Sequence, residues 1–204
     1  MQTITIPAKT VCVYSFNELS DEAKERAIDI YAGSAEYYND IMFETQDIFD
    51  AQDAFCALFD GLTFEWDSWN NCYVRSYPEV DAQSLPRITD SWAQTWAEYT
   101  ILDIWQAHYQ RLVWLANQLE RWAALGDASL FTKRNKHAHA REEHYYKELV
   151  AETRATFDAI AKACANDCDA QCEYMCTVDW FAEMASNRGM LYTADGNLYT
   201  EEGA

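Results

Sequence analysis

Leu62-Thr63-Phe64-Glu65-Trp66-Asp67-Ser68-Trp69-Asn70-Asn71-Cys72-Tyr73-Val74-Arg75-Ser76-Tyr77 is the stretch on which the fold class turns. Two runs rich in aromatic and β-branched residues flank Asn70-Asn71, and Asn tolerates the positive φ of a tight turn. The pattern predicts a β-hairpin. Helical periodicity surrounds it on both sides, so the hairpin needs a helical layer to bury its inner face.

Upstream, a helix is predicted from Ala35 to Asp60, closed by Gly61. Ile41, Thr45, Ile48, Gln52, Phe55 and Phe59 recur there at three- and four-residue steps, the signature of one buried face. Before it, Ser20 is a good N-cap, and Asp21 and Glu22 suit the positive end of a helix dipole. Leu19, Ala23, Ala27, Ile30 and Tyr31 share a side of that earlier helix, and Gly33 can end it. Lys9 to Phe16 reads as a strand.

Downstream, Pro78 to Pro86 is a loop, and a helix is predicted from Asp90 to about Leu125. Its stripe is Ile101, Ile104, Trp105, His108, Leu112, Leu115, Leu119 and Trp122. Trp92, Trp96 and Tyr99 fall opposite that stripe, so the helix is kinked near residue 100 or covered on both sides. After a connector at 127–136, a long helix over 137–176 presents Tyr146, Val150, Phe157, Ile160, Cys164, Cys168 and Met175 on one side. Thr177 caps a short helix over Val178–Ser186, and Met190 to Tyr199 reads as a second hairpin turning at Asp195-Gly196. The fold class expected is α+β: a small antiparallel sheet (N-terminal strand plus two hairpins) packed on long helices, in a single domain spanning 1–204.

Charge narrows the function. Fifteen Lys and Arg stand against 34 Asp and Glu, a formal net charge of −19, which argues against a protein that coats nucleic acid through its phosphates. Aromatic content of 15% argues against disorder. Met1 to Thr10 lacks the charged and apolar regions of a signal peptide, and no stretch approaches the roughly 18 apolar residues of a membrane span. Seven unevenly placed cysteines do not form a disulfide framework. A soluble, reduced, cytoplasmic protein is expected.

Val13-Tyr-Ser-Phe-Asn-Glu-Leu-Ser-Asp-Glu-Ala-Lys-Glu-Arg-Ala27 resembles the opening of a family of bacteriophage and prophage proteins, and Met190 to Tyr199 resembles their C-terminal hairpin. Some members are loosely labelled antitoxin-like; most have no assigned function. The resemblance implies a small, acidic, phage-encoded accessory protein acting in the cytoplasm of a bacterial host cell. It carries over no catalytic residue.

The acids are also unevenly distributed. No Lys or Arg occurs between Arg26 and Arg75, a gap that holds ten carboxylates. On one continuous helix Glu36, Asp40, Glu44, Asp47 and Asp50 would fall within a sector of about 120°, strung about 5–6 Å apart. Such a ridge imitates the charge of a polynucleotide strand and would dock on the basic groove of a nucleic-acid-binding enzyme. The plainer reading is a solvated helix face. Tyr37, Tyr38, Trp66 and Trp69 offer aromatic anchors for a partner, or belong to the core. Lys133 to Arg141 is the one basic run, a solvated helix start or a hold for an acidic patch.

Metal and enzyme signatures are weak. Cys164, Cys168, Cys172 and Cys176 repeat every four residues, but on a helix the first and last lie about 18 Å apart, too far for one tetrahedral ion. They read as core. His137, His139 and His144 lack the i, i+4 pairing of a helical zinc motif. No phosphate-binding glycine loop and no nucleophile elbow occurs. The function expected is a non-enzymatic inhibitor of a host nucleic-acid-binding defence complex, of the anti-CRISPR or anti-restriction type. Glu36, Asp40, Glu44, Asp47, Asp50, Trp66 and Trp69 would carry the contact with a basic host protein or ribonucleoprotein effector, with no cofactor, no metal and no direct nucleic-acid or membrane contact. An antitoxin neutralising a cognate toxin and a metal-dependent hydrolase are the alternatives.

Overall fold

A computed structural model describes residues 12–81, 83–86, 100–127 and 133–200. Among these, six α-helices and one two-stranded antiparallel sheet form an α+β fold. The elements are α1 (Asp21–Ala32), α2 (Ala35–Glu44), α3 (Gln46–Cys56), β1 (Thr63–Ser68), β2 (Asn71–Ser76), α4 (Thr100–Asp127), α5 (Lys133–Met175) and α6 (Val178–Asn187). No helix among the described residues is long and apolar enough to cross a membrane. The chain groups into two compact units, Met1–Glu44 with Ala170–Ala204, and Thr45–Asp169. One division falls between α2 and α3, the other inside α5.

In the first unit a 3-10 turn, Phe16–Glu18, precedes α1. The Ser20 hydroxyl oxygen accepts the Ala23 N–H at 3.3 Å and starts α1 as its sequence predicts. Leu19, Ala23, Ala27 and Tyr31 are buried as expected, but Ile28 takes the inward place assigned to Ile30, which is exposed. Phe16 and Tyr31 pack on Phe181 of α6, with ring centroids 4.7 and 5.3 Å apart. Thr177 caps α6 by accepting the Trp180 N–H at 3.3 Å.

Among the described residues, the predicted N-terminal strand, whose residues 9–11 lie outside them, and the predicted C-terminal hairpin pair only through single antiparallel bridges and add no strand to the β1–β2 sheet. Tyr14 pairs with Tyr192, and Tyr192 with Leu198, only as isolated bridges. Phe16 already turns into the 3-10 segment, which limits the pairing to Tyr14. The segment from Leu191 to Tyr199 does fold back on itself at Asp195-Gly196: the Thr193 N–H donates to the Asn197 carbonyl at 2.9 Å and the Tyr199 N–H to the Leu191 carbonyl at 2.7 Å, and the Thr193 and Asn197 side chains donate to Asp195. Gly196 sits in this turn at φ +84°, and a Cβ there would lie 2.2 Å from the Ala23 carbonyl oxygen. Only glycine permits that approach.

In the second unit α3, α4 and α5 enclose a core of Ile48, Phe55, Phe59, Trp105, Leu112, Phe157, Ile160, Cys164 and neighbours. The hairpin forms where its sequence predicts it, but its two-residue turn is Trp69-Asn70; Asn71 begins β2 and pairs with Ser68. Its inner face, Phe64, Trp66, Cys72 and Val74, packs on Ala161 and Ala165 of α5. Small residues on α5 let the sheet come close.

The helix predicted over 35–60 is two helices. The chain breaks at Thr45 and again after Cys56. All six residues of the predicted stripe are buried, Thr45 completely. Periodicity therefore identified the inward face but could not see the interruption. The Thr45 carbonyl accepts from both Ile48 and Phe49, at 3.0 and 3.3 Å, and starts a new helix there. The long helix begins at Lys133, so the basic run is helical from its start, and Tyr146 is exposed rather than inward. The stripe from Ile101 to Trp122 is inward or half-buried as expected. Trp92, Trp96 and Tyr99, with the question of a kink near residue 100, lie outside the described residues.

Candidate partner-binding surface

The five acids proposed as one ridge lie in two units, on two helices. Glu36, Asp40 and Glu44 belong to α2 in the first unit; Asp47 and Asp50 belong to α3 in the second. The break at Thr45 removes the single continuous helix that the ridge required.

Asp40 is not a free surface acid. Arg188 donates to its Oδ1 at 2.8 Å, and the buried Tyr31 hydroxyl donates to its Oδ2 at 2.8 Å. Burial pushes the Asp40 carboxyl up, but the Arg188 and Tyr31 hydrogen bonds outweigh it and hold the group below the usual carboxylate range. Burial, reinforced by the Asp40 bond, raises the Tyr31 phenol. Asp40 is therefore a structural tie, because an arginine 148 residues further along the chain neutralises it. Glu36 and Glu44 remain exposed.

On α3, Asp47, Asp50 and Asp53 are all exposed, and among the described residues no Lys, Arg or His forms an ion pair with any of them. They step three residues at a time, rotating about 60° per step and climbing about 9 Å in all. Gln46 donates to Asp50 at 2.7 Å, which orients that carboxylate without neutralising it.

Trp66 and Trp69 come to the same helix. Phe49, half-buried on α3, meets Trp66 edge-on at 5.0 Å and Trp69 at 5.9 Å. With Asp67 and Ser68 these rings border a shallow hollow of about 270 Å³. Trp66 is the inner member: its Nε1–H donates to the buried Gln52 Oε1 at 2.8 Å, and Gln52 donates to Cys72 Sγ at 3.2 Å. Gln52 thus clamps α3 to the hairpin. Trp69, in the turn, presents the outer ring. Arg75 is 3.4 Å from Glu65 across the strands.

A helix that carries exposed carboxylates and an aromatic contact with the hairpin offers groups that suit a basic protein surface. Carboxylates accept bidentate bonds from arginine, and indole faces stack on the guanidinium plane. Sequence reasoning named Asp47, Asp50, Trp66 and Trp69 but missed Phe49, Asp53 and Gln52. Asp53 continues the three-residue step of Asp47 and Asp50; Phe49 and Gln52 carried no signal beyond helical spacing.

Three of the seven cysteines, Cys72, Cys164 and Cys168, are buried. Cys164 and Cys168 are fully buried in the core. Burial pushes the thiol of Cys56 up to about 12 and that of Cys72 up to about 11, and it raises Cys164 as well. Cys176 and Cys172 lie against Tyr37, whose hydroxyl meets Cys176 Sγ at 3.7 Å and the Cys172 carbonyl at 3.5 Å. Among the described residues no three His, Cys, Asp or Glu side chains are grouped to hold a metal. His108 bonds Glu152 at 2.7 Å beside Arg111, and His139 bonds Glu142 at 3.1 Å.

No protein-family model, curated protein or solved structure matches this chain.

Proposed function

We propose that this is a non-enzymatic, phage-encoded binding protein that inhibits a nucleic-acid-binding host defence complex, acting in the bacterial cytoplasm. Its contact surface is the acidic face of α3 with the Phe49 and Trp69 rings, docked on a basic groove of a nuclease or ribonucleoprotein effector. What carries the reading is that Asp47, Asp50 and Asp53 stand exposed and without ion-pair partners among the described residues, on the helix whose Phe49 ring meets Trp66 and Trp69. Glu36 and Glu44, exposed on α2 of the first unit, contribute to the net charge; Asp40 takes no part. The net charge of −19 favours fast, salt-sensitive association with a basic target. The resemblance of residues 13–27 and 190–199 to phage proteins supplies the biological setting.

The test is restoration of phage plating on an immune host. The triple variant Asp47→Lys, Asp50→Lys, Asp53→Lys loses it, and so does Trp69→Ala, while Glu36→Lys with Glu44→Lys lowers it only partly. Capture of the basic target at low salt weakens at high salt. Full plating with the α3 triple variant rules this surface out. Rescue from a neighbouring toxin, without any effect on plating, assigns the protein to antitoxins instead.

A further inference from the structure

The second unit also contains a cavity that the partner surface does not use. The Tyr77–Asp81 segment and the Tyr146–Arg154 stretch of α5 border an open space of about 330 Å³. That is the lower end of the range for small-molecule sites, about 300–1,000 Å³. Pro78, Val80, Leu149 and Val150 supply apolar walls.

Among the described residues, two polar groups at this cavity lack a matching partner. The Arg154 guanidinium lies 5.3 Å from the centroid of the Tyr77 ring, and no carboxylate among the described residues forms an ion pair with it. Asp158, which would be the natural candidate, is occupied by the Tyr77 hydroxyl at 2.5 Å. That bond fixes the ring under the guanidinium. A guanidinium over an aromatic ring uses its face and keeps its N–H edge for a carboxylate. Thr153 also lines the cavity; it is only 5% exposed, and its hydroxyl is buried without a hydrogen-bond partner. A buried orphan hydroxyl is costly unless something satisfies it.

The acids at the rim do not fill these roles. Asp81 accepts from the Gln83 and Ser84 N–H groups of its own turn, at 2.9 and 2.6 Å. Glu79 is exposed.

We propose that this cavity binds a small monocarboxylate with an aromatic or branched apolar body, its carboxylate on Arg154 and its body against Leu149 and Val150. The test is a ligand-observed NMR titration of the full chain with phenylacetate, against neutral phenylacetamide and cationic phenethylamine. Phenylacetate binds saturably, and the other two bind at least about tenfold more weakly, a difference of about 1.4 kcal/mol. Arg154→Gln, an exposed change that leaves the fold intact, weakens phenylacetate by about the same factor. Val150→Trp fills the space and removes binding; if that variant unfolds, Arg154→Gln decides alone. Absence of saturable phenylacetate binding overturns the proposal, as does equal affinity in Arg154→Gln. Phenethylamine binding as tightly as phenylacetate overturns it too, because Glu79 would then set the charge preference.

Discussion

Arg188 donates a 2.8 Å hydrogen bond to Asp40 and so joins the end of α6 to the middle of α2. The Asp40 side chain is 17% exposed and takes a second bond from Tyr31, so removing it strands both donors. Asp40→Ala is expected to cost about 1–3 kcal/mol in urea denaturation.

The same tie predicts an acid dependence. Asp40, and Glu152 between His108 and Arg111, are both buried in part, which alone would raise them, yet their hydrogen-bonded partners hold both below the ordinary range. A carboxylate with a lowered folded value stabilises the fold above its unfolded value, about 3.9 for Asp and about 4.3 for Glu. The stabilisation is lost as pH falls through the lower folded values, because the unfolded chain then binds more protons. Denaturation midpoints measured from pH 7 down to pH 2 should fall in the acid limb, and less steeply in Asp40→Asn. An identical slope in that variant would show that Asp40 does not contribute.

Gly196 and Gly61 form a natural comparison. Both have positive φ, +84° and +83°, but only Gly196 faces a backbone atom that an added Cβ would strike. Gly61→Ala should cost about 1–2 kcal/mol, the penalty of left-handed backbone alone. Gly196→Ala should cost clearly more, since α1 must move away from the turn. Equal denaturation midpoints for the two variants would contradict the close approach.

Gln52 satisfies the Trp66 indole N–H in the buried seam between α3 and the hairpin. Gln52→Leu keeps the volume but orphans that donor, at a cost of about 1–3 kcal/mol. Trp66→Phe in the same background removes the orphan and should recover part of the loss. A double-mutant cycle reads the coupling, and simple additivity would deny it.

Thiol chemistry should follow burial. Cys12 is exposed, whereas Cys72, Cys164 and Cys168 are buried and Cys56 is held as a thiol with its value up at about 12. Iodoacetamide at neutral pH should label Cys12 well before these four, which react only in denaturant, as mass mapping would show. Early labelling of Cys164 or Cys168 would contradict their place in the core.

Much of this molecule follows from local pattern. Ser20 and Thr177 cap helices because a short oxygen side chain can reach the free N–H groups of the turn that follows it. The apolar periods from Ile41 to Phe59 and from Phe157 to Met175 mark inward faces because helical geometry returns a side chain to the same side every three to four residues. The hairpin was readable from its aromatic and β-branched runs. These signals are local, so the sequence alone carried them.

The candidate surface was only half legible for the opposite reason. Whether a carboxylate is free depends on what approaches it from elsewhere in the chain, and no spacing rule places Arg188 on Asp40. The interruption at Thr45 is equally invisible, since a broken helix and a continuous one share the same apolar period. Tertiary structure also decided that Phe49 meets Trp66 and Trp69, and that Arg154 lies over Tyr77, 77 positions earlier. The sequence by itself determined which faces turn inward and how negative the chain is. Only folding determined which charges stay uncompensated, because charge pairing is set by distance in space, not by distance along the chain.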